Sequence, residues 1–138
     1  MSALARQARQ RKYSEKQLLS TTSNLDGQWI LITGAGRRIG ANVGRLLHAH
    51  GASIAIHYRG SAADAEALAD ELNDAREDSA ITVQADLLQT NKLGELVAKV
   101  VDRTGRLDGL INNASTFYPT PLEDVTHEHW DDLIGSNL

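Results

Sequence analysis

Cysteine is absent from the 138 residues. Disulfides, thiolate nucleophiles and cysteine-ligated zinc are therefore excluded, and no metal site is expected. A cysteine-free chain suits a reducing compartment, and the expected location is the cytoplasm. Long apolar runs are also missing. The longest, around Leu31, is broken by Thr33 and Gly34, well short of the roughly 20 residues that cross a bilayer. The first turns of sequence lack the apolar stretch of a secretory signal. Neither a membrane nor secretion is expected.

What remains is the composition of an ordinary soluble domain, with 41% hydrophobic and 23% charged residues. The net charge is −4, but it is uneven. Arg6, Arg9, Arg11, Lys12 and Lys16 face only Glu15 in the first twenty positions, so everything after them is acidic. An acidic body is a poor nucleic-acid surface, and no nucleic-acid partner is expected. The basic stretch 1–26 ends in the polar run Ser20-Thr21-Thr22-Ser23-Asn24. It reads first as a solvated, disordered extension. An organelle transit peptide and a phosphate- or RNA-contacting arm are the alternatives.

From residue 27 to 138 strands and helices alternate. Trp29-Ile30-Leu31-Ile32 is a short continuous apolar run, the mark of a parallel strand buried on both faces. Ile39, Val43, Leu46 and Leu47 then form one apolar helix stripe, which Gly51 stops. Ser53–His57 is a second strand, and Ser61 can cap a helix carrying Ala65, Leu68 and Leu72. Ala80–Gln84 is a third strand. Leu93, Leu96, Val97, Val100 and Val101 mark a helix ended by Gly105, Gly109–Asn112 a fourth strand, and Thr126 the start of a last helix. The fold class implied is α/β, a Rossmann-type doubly wound parallel sheet with right-handed crossovers, cut short after about four strands.

The first strand runs directly into Thr33-Gly34-Ala35-Gly36-Arg37-Arg38-Ile39-Gly40, which opens a helix. In a doubly wound sheet this turn faces the ligand crevice at the carboxyl edge. Glycines let the backbone approach a pyrophosphate, and the helix start offers free N–H groups. A ribose with a free 2′-hydroxyl would call for an acid at the end of the second strand. Here stand His57-Tyr58-Arg59-Gly60-Ser61. A carboxylate there would repel a 2′-phosphate, whereas Arg59 can pair with one, with Arg37 in the neighbouring turn. The expected cofactor is NADPH.

The turn resembles the Thr-Gly-x-x-x-Gly-x-Gly segment of the short-chain dehydrogenases/reductases, with Arg38 in place of the middle glycine. Asp86-Leu87, closing the third strand, matches the adenine-contacting Asp of that family. Asn112-Asn113-Ala114-Ser115 resembles its Asn-Asn-Ala-Gly, and Asn137 falls where the family places the Asn that supports a proton relay. Arg38, Ser115, the His57–Ser61 and Ala80–Leu87 segments and Asn113-Ala114-Ser115-Thr116-Phe117-Tyr118-Pro119-Thr120-Pro121 together resemble the pteridine reductase branch.

That resemblance implies an NADPH-dependent oxidoreductase acting on pterins or dihydrofolates. Asn137 would be its catalytic residue within this chain. Gly34, Arg37, Arg38, Ile39, Gly40, His57, Tyr58, Arg59, Ser61, Asp86, Leu87, Asn113, Ala114 and Ser115 would hold the cofactor. Arg38, Ser115 and Phe117 would touch the substrate, Phe117 by stacking on it, and the complete enzyme would be a homotetramer. Tyr118 receives no role. Other short-chain reductases acting on acyl-carrier, sugar or alcohol substrates, and a non-catalytic nucleotide-binding module, are the alternatives. The family's Tyr-x-x-x-Lys pair is not among these residues, because Gln17, Ala62 and Leu122 follow the three tyrosines at that spacing. The sequence therefore reads as the front half of a longer reductase, inactive alone and with an exposed sheet edge prone to aggregation.

Overall fold

The computed structural model describes residues 24–137. The readings of the basic stretch fall almost wholly on residues 1–23 and lie outside the described part. Four strands form one parallel sheet: β1 (Trp29–Ile32), β2 (Ser53–Tyr58), β3 (Ala80–Gln84) and β4 (Gly109–Ile111). Their order is β3-β2-β1-β4. Leu31 sits between Ala55 on one side and Leu110 on the other, which fixes the register of the three inner positions. Four α-helices alternate with the strands: α1 (Arg38–Ala49), α2 (Ala62–Ala75), α3 (Leu93–Thr104) and α4 (His127–Asn137). This is a Rossmann-type α/β arrangement.

Both faces of the sheet are covered, which is why its strands are continuous apolar runs. Ile30, Ile32, Ile54 and Ile56 pack on one face with Ala41 of α1 and Ala65, Leu68 and Leu72 of α2. Leu31, Ala55 and Val83 meet Leu96 and Val100 of α3 on the other. Leu25 already belongs to the fold. It packs on the first cluster, and its N–H donates to the His50 carbonyl at 3.0 Å.

The buried stripe of α1 is not the one the large apolar residues suggested. Ile39 and Leu46 are 72% and 60% exposed, while Val43 and Leu47 are only partly buried. The side facing the sheet is Gly40, Ala41, Gly44 and His48. Small residues bring the helix axis close to the strands. A β-carbon at Gly44 would lie 3.8 Å from Ile32 and Ile54 side chains, so there is no room for a large residue there.

His48 fits because its Nε2 meets Ser79 Oγ at 2.7 Å, a buried polar pair between α1 and the residue that precedes β3. Burial, and then the charge of Arg76, hold the His48 pKa below the ordinary histidine range. In α3 likewise only Leu96 and Val100 are buried, and Val97 and Val101 stay exposed. Leu110 of the edge strand β4 is 56% exposed.

Local stop signals are as the sequence suggests at Gly51 (φ +100°) and Gly105 (φ +78°), where a left-handed backbone ends each helix. Ser61 occupies the N-cap of α2, but its side chain makes no capping bond. At the start of α4, Thr126 Oγ1 accepts the His129 N–H at 3.2 Å, a regular cap. Among the described residues no helix is long and apolar enough to cross a membrane.

The close but unstrained surroundings of Gly44 give a test. Gly44→Ala should stabilise the fold by about 0.5–1 kcal/mol through helix propensity. Gly44→Leu should destabilise it by about 1–3 kcal/mol through overpacking. Urea denaturation of both variants checks the pair, and equal effects would contradict the packing described.

Candidate functional site

In a sheet of this order the chain leaves β1 toward β2 on one side, while β4 pairs on the other. The carboxyl ends of β1 and β4 therefore flank a crevice at the switch point. The Thr33–Gly40 turn fills the floor of that crevice, between β1 and α1, and its conformation is over-determined.

Gly34 has φ +62°, and a β-carbon there would lie 2.8 Å from the Ala114 Cα. Gly40 is confined instead by close approach. Its missing side chain leaves room for the Gly34 carbonyl and the Asn113 amide, each of which a β-carbon would meet at 2.8 Å or less.

Polar side chains brace the turn from both flanks. On the β4 side, Thr33 Oγ1 accepts the Asn113 and Ala114 N–H groups at 2.9 and 3.0 Å. Asn113 Nδ2 donates to the carbonyls of Thr33 and Gly34 at 2.9 and 3.2 Å. On the β2 side, the Gly34 N–H donates to His57 Nδ1 at 3.1 Å, and Ala35 N–H donates to the His57 carbonyl at 3.0 Å. His57 Nε2 lies 3.2 Å from the Ala85 carbonyl, and only 1% of the residue is exposed.

Above the turn lies an open cleft of about 640 Å³, within the range of small-molecule sites. Every residue expected to hold the cofactor borders it. Gly34, Arg37, Arg38, Ile39 and Gly40 come from the turn and α1. His57, Tyr58, Arg59 and Ser61 come from the end of β2, Asp86 and Leu87 from beyond β3, and Asn113, Ala114 and Ser115 from beyond β4. Gly60, Leu88 and Thr116 border it too and were not foreseen.

Within this set the side chains have specific local duties. Asp86 Oδ1 accepts the Leu88 N–H at 3.1 Å and shapes its own turn. Arg37 Nε pairs with Asp64 of α2 at 3.2 Å, and Arg59 Nη1 with Asp132 of α4 at 3.3 Å. Arg38 has no carboxylate within ion-pair distance among the described residues. No acid stands in the first turn of α1, so positive charge dominates this rim.

Arg38 is also a backbone outlier, with φ +53°. A left-handed backbone costs a side-chain-bearing residue roughly 1–2 kcal/mol. The position asks for glycine and holds arginine.

Two expected site residues lie apart from the cleft. Phe117 follows Thr116, the last bordering residue, but it is 88% exposed and does not line the cavity. Asn137 does fall in the last helix, where its Nδ2 donates to the carbonyls of Thr116 and Leu133 at 3.0 and 2.7 Å. It thus touches the backbone of the cleft rather than its interior. Tyr118, without a role from sequence, stacks edge-on against His129 at 5.6 Å. Burial, and next the neighbouring Asp132, push its hydroxyl above the ordinary tyrosine range.

With this geometry in place, comparison with known proteins is decisive at the family level. The short chain dehydrogenase family model matches residues 28–138. The chain belongs to the short-chain dehydrogenase family. Pteridine reductase 1 of Leishmania tarentolae is 43% identical over 109 residues, covering 67% of this chain and 38% of that protein. An uncharacterized oxidoreductase of Methylorubrum extorquens is 35% identical over 116 residues, covering 84% of the chain and 46% of the relative. A 3-oxoacyl-[acyl-carrier-protein] reductase of Staphylococcus epidermidis is 33% identical over 108 residues, covering 78% and 44%. The chain thus spans less than half the length of these relatives.

The strain at Arg38 can be measured. Arg38→Gly should be more stable than Arg38→Ala by about 1 kcal/mol, because only glycine adopts the left-handed backbone freely. Chemical denaturation of the two variants gives the order, and the reverse order would refute the φ described.

Proposed function

We propose that this chain forms the dinucleotide-gripping part of an NADPH-dependent reductase whose substrates are pterins or dihydrofolates. One observation carries the proposal. Arg37, Arg38 and Arg59, from two separate crossovers, border a single cleft over a glycine turn, and the end of β2 carries no acid.

The residues present fit such a cofactor. The space at Gly34 and Gly40, which a β-carbon would fill, suits close backbone approach to a pyrophosphate. The acid-free helix start suits its charge. Arg59 suits a 2′-phosphate, which a carboxylate at that place would repel. When bound, the nicotinamide supplies the hydride for reduction. The chain's own task is to bind, orient and electrostatically balance the anionic ends of the cofactor. Arg38 stays protonated near neutral pH and contributes charge, not proton transfer.

The Asp132 partner of Arg59 bears on affinity. The Arg59 side chain is 53% exposed and that of Asp132 23%, and an exposed pair of this kind is worth only about 0.2–1 kcal/mol. A phosphate with two negative charges and three acceptor oxygens displaces such a partner readily, so Asp132 trims cofactor affinity without blocking it.

The pterin reading is supported by the Leishmania pteridine reductase and by the presence of both Arg38 and Ser115 along the cleft. Phe117 stands two residues beyond Ser115 with an open ring that a flat heteroaromatic substrate would cover. The staphylococcal relative favours a second reading, reduction of an acyl-carrier thioester.

Binding titrations separate these possibilities. Arg59→Asp should weaken NADPH at least ten-fold and NADH little. Asp132→Asn should tighten NADPH about two- to five-fold, the range of an exposed ion pair. Equal effects on both dinucleotides would refute the placement of the 2′-phosphate. With NADPH present, dihydrobiopterin should bind and an acetoacetyl thioester should not, and the opposite preference would remove the pterin reading.

A further inference from the structure

His57 borders the cleft, yet neither of its ring nitrogens is available to a ligand. Nδ1 accepts the Gly34 N–H at 3.1 Å, and Nε2, 3.2 Å from the Ala85 carbonyl, must carry the proton. Only the neutral imidazole with hydrogen on Nε2 satisfies both contacts. One side chain thereby joins the carboxyl ends of three adjacent strands: the turn after β1, its own strand β2 and the residue after β3.

We propose that His57 is a positioning residue for the dinucleotide, a neutral imidazole strut that holds the Gly34 amide and hence the phosphate-facing turn in its binding conformation. This rests on the dinucleotide reading of the cleft and changes the part His57 plays in it, from cofactor contact to support.

Protonation at Nδ1 would set an N–H donor against the Gly34 N–H donor. The strut therefore holds only in the neutral state. Burial keeps His57 below the ordinary histidine range, with the Ala85 carbonyl pulling the other way. The ionisable groups on the surrounding elements are Arg37 and Arg38 on the turn, Tyr58 and Arg59 on its own segment, and Asp86 beyond Ala85. Burial outweighs every other influence on it.

A lowered folded-state pKa means that the unfolded chain takes up the proton first as pH falls. The stabilisation from His57 is complete above about 6.5 and declines as pH drops below that value. The contact with Gly34 itself is lost at still lower pH, when the folded imidazole protonates.

The test uses nuclear magnetic resonance of the protein together with binding titrations at neutral pH. In the wild type, the ring nitrogens should report hydrogen on Nε2, and the Gly34 amide resonance should move with imidazole protonation, below the pH of a free histidine. In His57→Gln, which keeps a donor and an acceptor but does not titrate, the Gly34 resonance should be flat across the same range. His57→Phe should weaken NADPH and NADH alike, by about ten-fold for a buried donor left unsatisfied, and His57→Gln should recover part of that loss.

A Gly34 amide that ignores the imidazole titration, or a folded His57→Phe protein with wild-type affinity, overturns the proposal. If His57→Phe does not fold, the wild-type titration decides alone. Failure of both dinucleotides to bind the wild type would instead count against the dinucleotide reading, and the Gly34 titration would still judge the strut.

Discussion

The structure depends on holding one short glycine turn in a conformation that it would not keep by itself. Gly34 lies in the left-handed region, Arg38 does so against its own preference, and Gly40 is pressed against the Gly34 carbonyl. Such a segment persists only when its surroundings over-determine it. They do so from two sides. Thr33 and Asn113 tie it to the end of β4, and His57 ties it to β2 and β3. The four parallel strands bring these residues to one edge, and the cleft opens at that edge because the strand order reverses there.

Polar braces of this kind are effective because they are short of water. His57 and Thr33 are 1% and 4% exposed. A buried donor or acceptor without a partner costs about 1–3 kcal/mol, so each alternative shape of the turn that breaks a brace is disfavoured by that amount. The same reasoning explains why a neutral histidine is suitable. It offers one donor and one acceptor on a rigid ring and, unlike a carboxylate, brings no negative charge next to the anion that the proposed function would place in the cleft.

How much of this was legible in the sequence follows from what each signal measures. The strands were legible because burial on both faces leaves unbroken apolar runs, such as Trp29–Ile32. Helix stops were legible at Gly51 and Gly105 because a left-handed backbone has few other occupants. That the expected cofactor residues share one cleft was legible partly from the family resemblance and partly because strand ends in such a sheet converge on one edge.

The buried side of α1 was not legible. Periodicity weighs large apolar residues, whereas this helix is packed through Gly40, Ala41 and Gly44, and close packing favours small ones. The braces were illegible for another reason. Thr33 and Asn113 are 80 positions apart, and nothing local shows that one caps the backbone of the other. The Arg59–Asp132 pair spans 73 positions and was missed on the same ground.

The ion pairs also bear on how a strongly cationic rim can exist before any anion arrives. Three guanidinium groups near one cleft repel one another and favour an open turn. Asp64 and Asp132 offset two of them at the exposed surface, where each pair contributes little and is screened by salt. Weak, exposed partners are what the proposed anion site would require. A buried carboxylate would hold its arginine too firmly for a phosphate to displace it. Arg38, with no such partner among the described residues and a strained backbone beneath it, is the group whose charge is least compensated. On the proposed dinucleotide reading, a phosphate would gain most at Arg38, and the strain stored there would be the cost of keeping that charge at the start of α1 rather than the glycine its backbone prefers.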